Sequence, residues 1–159
     1  MVKKKIKKTK DEDLIKDAAQ KLFELLGTTA TSSVTFDKEN DLYLLNVSAG
    51  DVSGLLIGKK GETINSIQIL INQIIRQKKG EWVRVVVNVA DFREKEKSRM
   101  EELAYQTAQR VRETGEPQNL YNLTPAQRRV VHMALSLEKD LQTESVGEGL
   151  ERYLVVSKK

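Results

Sequence analysis

"GLLIGKKGETINSIQILINQI", residues 54–74, places two lysines between two glycines inside a largely apolar run. Ile64, Ile67, Ile71 and Ile74 recur at three- and four-residue spacing, widened by Leu70 and Ile75, so Gly61 to about Gln77 reads as an amphipathic helix. A plain surface loop needs neither glycine, so Gly58 and Gly61 read as backbone requirements. One reading is a helix–turn–helix corner in which glycine supplies a positive φ. The other is an anion cradle. A helix starting at Gly61 leaves its first amides unpaired and partially positive, and a residue without Cβ lets a phosphate approach them. Lys59 and Lys60 would then neutralise phosphates without reading bases. A nucleotide P-loop fails on spacing: Gly54 lies four residues before Gly58 where five are needed, and Lys60 stands where Ser or Thr should hold magnesium.

Working outward, "DEDLIKDAAQKLFELLG" carries Leu14, Ile15, Ala18, Leu22, Leu25 and Leu26 at helical spacing and stops at Gly27. Val34–Phe36 and Leu42–Val47 read as two strands around a polar hairpin loop at 37–41. Residues 51–57 can form a short helix entering the glycine turn. In "EWVRVVVNVA", Val83, Val85, Val87 and Val89 alternate with Arg84 and Asn88, the pattern of a half-buried strand. The order to about Ala90 is α-β-β-α-α-β.

The second half changes character. Residues 91–115 read as a long helix, apolar at Met100, Leu103, Ala104, Ala108 and Val111, ended by Gly115 and Pro117. "LTPAQRRVVHMALSLEKD" opens with Thr124 at the N-cap, Pro125 in the first helical position and Gln127 completing a capping box. That helix is expected to bury Val130, Val131, Ala134 and Leu137. Arg128 and His132, four apart, share its polar face, continued by Ser136 and Lys139. "ESVGEG" reads as a turn and "RYLVV" as a closing strand.

Composition narrows the function classes. With no cysteine, disulfides and thiolate chemistry are excluded. A single histidine without cysteine makes no zinc pair, and no nucleophile-elbow motif supports a Ser-His-Asp triad. No apolar run approaches the ~18 residues of a membrane span, so the chain reads as cytoplasmic and not integral to a membrane. Six lysines fall in the first ten residues, which read as a disordered basic arm. The remaining 21 basic and 23 acidic residues carry a net of −2. A polyanion site must therefore come from local clustering, and residues 58–84 supply a local +4 through Lys59, Lys60, Arg76, Lys78, Lys79 and Arg84 against Glu62 and Glu81. Aromatic residues make up only 5% and form no short cluster of the kind that marks base-stacking modules.

"IGKKGETINSIQILINQII" resembles the Ile-Gly-x-x-Gly core of KH domains, and the element order is similar to the type II form of that family. The resemblance implies a clamp at Gly58, Lys59, Lys60 and Gly61 for the backbone of single-stranded nucleic acid, with Ile57 and Ile64 as groove residues or, in the alternative reading of each, core residues. Arg128-x-x-x-His132, followed by "TESVGEGLERYLVV", resembles the R-three-H domain, another single-strand binder. It implies phosphate-facing roles for Arg128 and His132, with Arg152 on the same surface.

The two in tandem resemble the bacterial Jag family, RNA-binding proteins linked to cell elongation and division. Members commonly carry a further N-terminal domain. Here "MVKKKIKKTK" occupies that place, so coupling to membrane insertion machinery is not carried over.

The expected fold is thus α+β, two small α/β-sandwich domains: a basic tail at 1–10, a type II KH domain at 11–90 and an R-three-H domain at 91–159. The expected function is non-catalytic binding of single-stranded RNA, or single-stranded DNA, with no cofactor or metal. The alternative is an interaction scaffold whose KH domain forms a homodimer or binds a partner protein.

Overall fold

The computed structural model describes residues 2–159, with side chains from Lys10 onward. The side chains of residues 1–9, most of the expected basic arm, lie outside the described residues. The chain divides into two compact units, Met1–Phe92 and Arg93–Lys159, each mixing helices and strands in an α+β fold.

The first unit runs α1 (Val2–Leu25), β1 (Thr31–Asp37), β2 (Leu42–Ser48), α2 (Ser53–Ile57), α3 (Glu62–Lys79) and β3 (Val85–Val89), the α-β-β-α-α-β order read from the sequence. β1 and β2 form an antiparallel hairpin from Thr31↔Ser48 to Asp37↔Leu42. Its turn is tied by the Asp37 carboxylate, which accepts from the Glu39 and Asn40 amides at 2.9 and 3.2 Å. β3 returns parallel to β2, Tyr43 opposite Val85, after the α2–α3 crossover. Alternation sends Tyr43, Leu45, Val47, Val85, Val87 and Val89 to one sheet face, where they pack with Ile15 and Phe23 of α1 and Ile64, Ile67, Ile71 and Ile75 of α3.

Three features of this unit depart from the periodicity reading. Leu25, Leu26 and Leu70 are exposed, and α1 instead buries Ala19 and Phe23. Asn88, expected on the solvent face of β3, is buried. α3 also contributes polar side chains. Asn72 donates to the Val85 carbonyl and accepts from the Val85 amide, both at 3.0 Å, and the Gln68 side-chain carbonyl accepts from the Val87 amide at 3.1 Å. β3 is an edge strand, so these amides satisfy backbone groups that no neighbouring strand pairs.

α1 is fixed to the sheet and to α3 by one carboxylate. Asp11, 8% exposed, accepts from Lys79 Nζ at 2.7 Å and from the Tyr43 hydroxyl at 3.2 Å. Burial, with Asp11 beside it, pushes the Tyr43 phenol well above its ordinary value. Burial alone would lower the Lys79 ammonium, but its bonds to Asp11 and Glu81 outweigh that and raise it.

The second unit contains α4 (Phe92–Thr114, whose first residue closes the first unit), β4 (Gln118–Leu120), α5 (Pro125–Leu135), β5 (Leu141–Val146) and β6 (Tyr153–Lys158). Its sheet is antiparallel in the order β4-β6-β5. Met100, Ala104 and Val111 of α4 and Val131 and Leu135 of α5 cover Leu141, Leu154 and Val156. The Thr124 capping box forms as expected: Gln127 N donates to Thr124 Oγ1 at 3.3 Å, and Thr124 N to Gln127 Oε1 at 2.7 Å.

Here the differences from expectation are larger. β4 went unread because three residues carry no usable alternation. "ESV" is the end of β5, so the turn begins only at Gly147. α5 stops at Leu135, which leaves Leu137 87% exposed and Lys139 off the helix. At this end of α4, Arg112 makes a two-pronged bond to Asp140 (2.7 and 2.9 Å) and another to Glu138 (2.6 Å).

Candidate nucleic-acid interface

α2 ends at Gly58, whose amide donates to the Gly54 carbonyl at 2.9 Å. The chain then makes a tight helical turn over Lys59–Gly61 before α3 starts at Glu62. Gly58 sits at φ 70, ψ −178, and Gly61 at φ 81, ψ 16. Lys60 between them is also left-handed, at φ 53, ψ 25.

Both glycines are needed, and by the protein itself. A Cβ on Gly58 would stand 2.1 Å from Thr63 Oγ1, and one on Gly61 would stand 2.8 Å from the Phe92 ring. The space released by the missing Cβ atoms is thus filled from inside, by Thr63 and Phe92. What faces solvent is charge, since Lys59 and Lys60 are both exposed. No side chain caps the N-terminus of α3, whose first amide, that of Glu62, donates to the Lys59 carbonyl, and the helix dipole adds to that positive end.

Ile57 is half-buried at the edge of the core beside this turn. Ile64 is 1% exposed and belongs to the core itself. The expected groove role for Ile64 is therefore replaced by a packing role, because it has no surface to offer a base.

The basic stretch 58–84 is also not one patch. α3 separates its ends: eighteen residues at about 1.5 Å rise span roughly 27 Å. Lys59 and Lys60 lie at its start, whereas Arg76, Lys78 and Lys79 lie in its last turn. Lys79 is neutralised by Asp11 and Glu81, at 2.7 and 3.0 Å. The Arg76 guanidinium lies 6.0 Å from the ring centre of Trp82, which is exposed.

In the second unit the sequence-predicted residues do converge. Arg128 Nη1 donates to the Leu123 carbonyl at 2.8 Å and to the Arg152 carbonyl at 3.3 Å. Arg152, just ahead of β6, donates from Nε to Ser145 Oγ at 2.8 Å. His132, one turn beyond Arg128 and exposed, pairs its Nδ1 with Thr143 Oγ1. Two cations and an imidazole thus line α5 and the β5–β6 hairpin, each held by a neutral partner. Positioning by neutral groups leaves the positive charge uncompensated for a ligand.

Thr143 and Ser145 were missed by sequence reasoning. They are two apart on β5 and point to the helix side with Leu154 and Val156, their cross-strand partners. The period-two pattern of "LQTESV" was the available signal. It was hidden by reading its second half as a turn.

Among the described residues no group of three or more His, Asp or Glu side chains is placed to hold a metal ion, and no helix is long and apolar enough to cross a membrane.

Comparison with known families matches residues 12–89 to the KhpA/KhpB-type KH domain and residues 98–158 to the R-three-H domain. Among curated proteins, the chain is similar to the RNA-binding protein KhpB of Clostridium symbiosum, 29% identical over 156 residues, covering 96% of this chain and 70% of that protein. The Bacillus subtilis protein of the same name is 32% identical over 112 residues, covering 69% of this chain and 54% of the relative. The Lactiplantibacillus plantarum one is 34% identical over 132 residues, covering 83% and 40%. The chain thus spans only about half or less of the latter two. The glycine turn within an α-β-β-α-α-β unit, the Arg128–His132 helix in the unit that follows, and relatives that span both place this chain in the Jag (KhpB) family of KH–R-three-H proteins.

Proposed function

We propose that this chain is a non-catalytic RNA-binding protein that holds single strands through both units. The observation that carries this reading is the convergence of Arg128, Arg152 and His132 on neutral partners. Arg128 and Arg152 keep their full charge for phosphate. His132 is held through Nδ1 by Thr143, which leaves its Nε2 edge for a phosphate oxygen. The relatives' name, RNA-binding protein KhpB, supports the same class of ligand. Lys59, Lys60 and the positive N-terminal end of α3 form the second contact. Each unit alone binds weakly, and joined they raise one another's effective concentration on a strand. By family, the biological role is post-transcriptional regulation tied to bacterial cell elongation and division, exercised in the cytoplasm.

The test is affinity for an unstructured RNA, measured for the wild type, for Lys59→Asp with Lys60→Asp, and for Arg128→Ala. Each variant is expected to bind at least about 10-fold more weakly, the loss of one or two charge-assisted contacts. Unchanged affinity in both sinks the proposal.

A second reading, a KH unit that dimerises or binds a protein partner, is favoured by one observation: Leu55, Ile69 and Leu70 are exposed on α2 and α3 at 66%, 62% and 50%. Light scattering before and after nuclease treatment separates the two. An oligomer that survives the nuclease supports the scaffold.

A further inference from the structure

The fold builds an aromatic pair that the sequence does not display. Tyr121 lies in the loop after β4 and Tyr153 opens β6, far apart in the chain. Their rings nevertheless meet with centroids 4.9 Å apart at an interplanar angle of 36°. The β4–β6 register explains this. Leu120 pairs with Leu154, so the next step of the ladder sets Tyr121 opposite Tyr153. Because Leu154 points into the core, alternation sends Tyr153 to the opposite, open face of the sheet. The Tyr121 hydroxyl accepts from Asn119 Nδ2 at 3.1 Å, which fixes its ring, and the residue is 58% exposed.

This pair adjoins the cationic cluster. Tyr153 follows Arg152 directly, so their Cα atoms are about 3.8 Å apart. Arg128 is bonded both to the Arg152 carbonyl and to Leu123, two residues beyond Tyr121. A strand crossing this end of the sheet meets charge on the helix side and rings on the open side.

We infer that Tyr121 and Tyr153 are a stacking platform for unpaired bases of the RNA whose phosphates Arg128, Arg152 and His132 hold; the inference rests on the RNA-binding reading above. Tyr121, 58% exposed and set against the Tyr153 ring, suits a base, which stacks through its π-face whatever its identity. The platform selects single strands over duplexes, because paired bases offer no free face, and it gives little base preference.

The test uses the full chain with two labelled probes of equal length: oligouridine, and a ribose-phosphate chain lacking bases. Wild-type protein should favour oligouridine by at least about 5-fold, the lower end of one base–aromatic stack. Tyr121→Ala should bring oligouridine down to the level of the baseless chain. It should leave binding of the baseless chain and the salt dependence unchanged, and Tyr121→Phe should restore most of the loss. Tyr153→Leu, which keeps apolar bulk in β6 while removing the ring, should behave like Tyr121→Ala. Oligouridine bound with wild-type affinity by Tyr121→Ala and Tyr153→Leu, alongside a loss in Arg128→Ala, overturns the platform and leaves the RNA reading standing. No loss in Arg128→Ala on either probe overturns the underlying reading instead.

Discussion

The two candidate contacts are made in opposite ways. In the first unit, the turn at Gly58–Gly61 is specified by the backbone: left-handed conformations and inward neighbours, Thr63 and Phe92, that admit no Cβ. Its charges, Lys59 and Lys60, ride on that frame as exposed side chains. In the second unit, the frame is an ordinary capped helix on a hairpin, and the cationic side chains themselves are held, Arg128 by two carbonyls and Arg152 by Ser145. One site fixes the path of the chain and carries its charge on the surface of the turn. The other fixes the charge. Mutations should therefore separate stability from binding in the first unit and merge them with geometry in the second.

The largest expected effect is on the turn. Gly58→Ala forces a residue with Cβ to φ near 70 and against Thr63, which should lower stability by about 2–4 kcal/mol. Trp82 is the sole tryptophan and lies in the first unit, so its fluorescence through a urea titration reads that unit directly. A midpoint equal to wild type would mean that the turn relaxes freely and that the backbone does not specify it.

The intermediate effect sharpens the contrast in charge. Arg128→Lys keeps the charge but cannot span the Leu123 and Arg152 carbonyls with one planar group, so RNA affinity should fall about 10-fold. Lys59→Arg with Lys60→Arg should change affinity by no more than about 2-fold, because point charges there need no fixed geometry. Equal tolerance at both places, read by anisotropy titration, would erase the distinction.

The smallest effect concerns pH. The Arg112 bonds hold the Asp140 carboxyl at about 2, against an ordinary value of about 3.9. Its folded pKa is depressed, so the contribution is complete above about pH 4 and fades as pH falls towards 2. Asp140→Asn should flatten the dependence of Tm on pH in that acidic window and leave it unaltered near neutrality. A variant whose acid profile matches wild type would count against the pairing.

Much of this was legible in the sequence because long elements impose a period on their apolar residues. α3 announced itself through Ile64, Ile67 and Ile71, and α5 through its capping box. What stayed hidden depends on tertiary neighbours. Asn72 and Gln68 look like polar interruptions of an apolar stripe until β3 lies beside them as an unpaired edge. Phe92 gives no sign that it packs on Gly61, because nothing local links them. Thr143 meets His132 only because α5 lies over β5, and Ser145 meets Arg152 only through the β5–β6 hairpin. The tyrosine pair is the same case, since residues remote in the chain become neighbours through strand register alone.

The most direct measurement is the affinity of the full chain for an unstructured RNA across a salt series, with Arg128→Ala and Lys59→Asp/Lys60→Asp alongside. Neutralising about four phosphates on a single strand gives a log–log slope near −3, at ~0.7 per contact. The wild type should show that slope, and each variant a weaker affinity with a shallower one. A wild-type slope near zero, or variants that overlay it, would contradict a strand held by charge at both units.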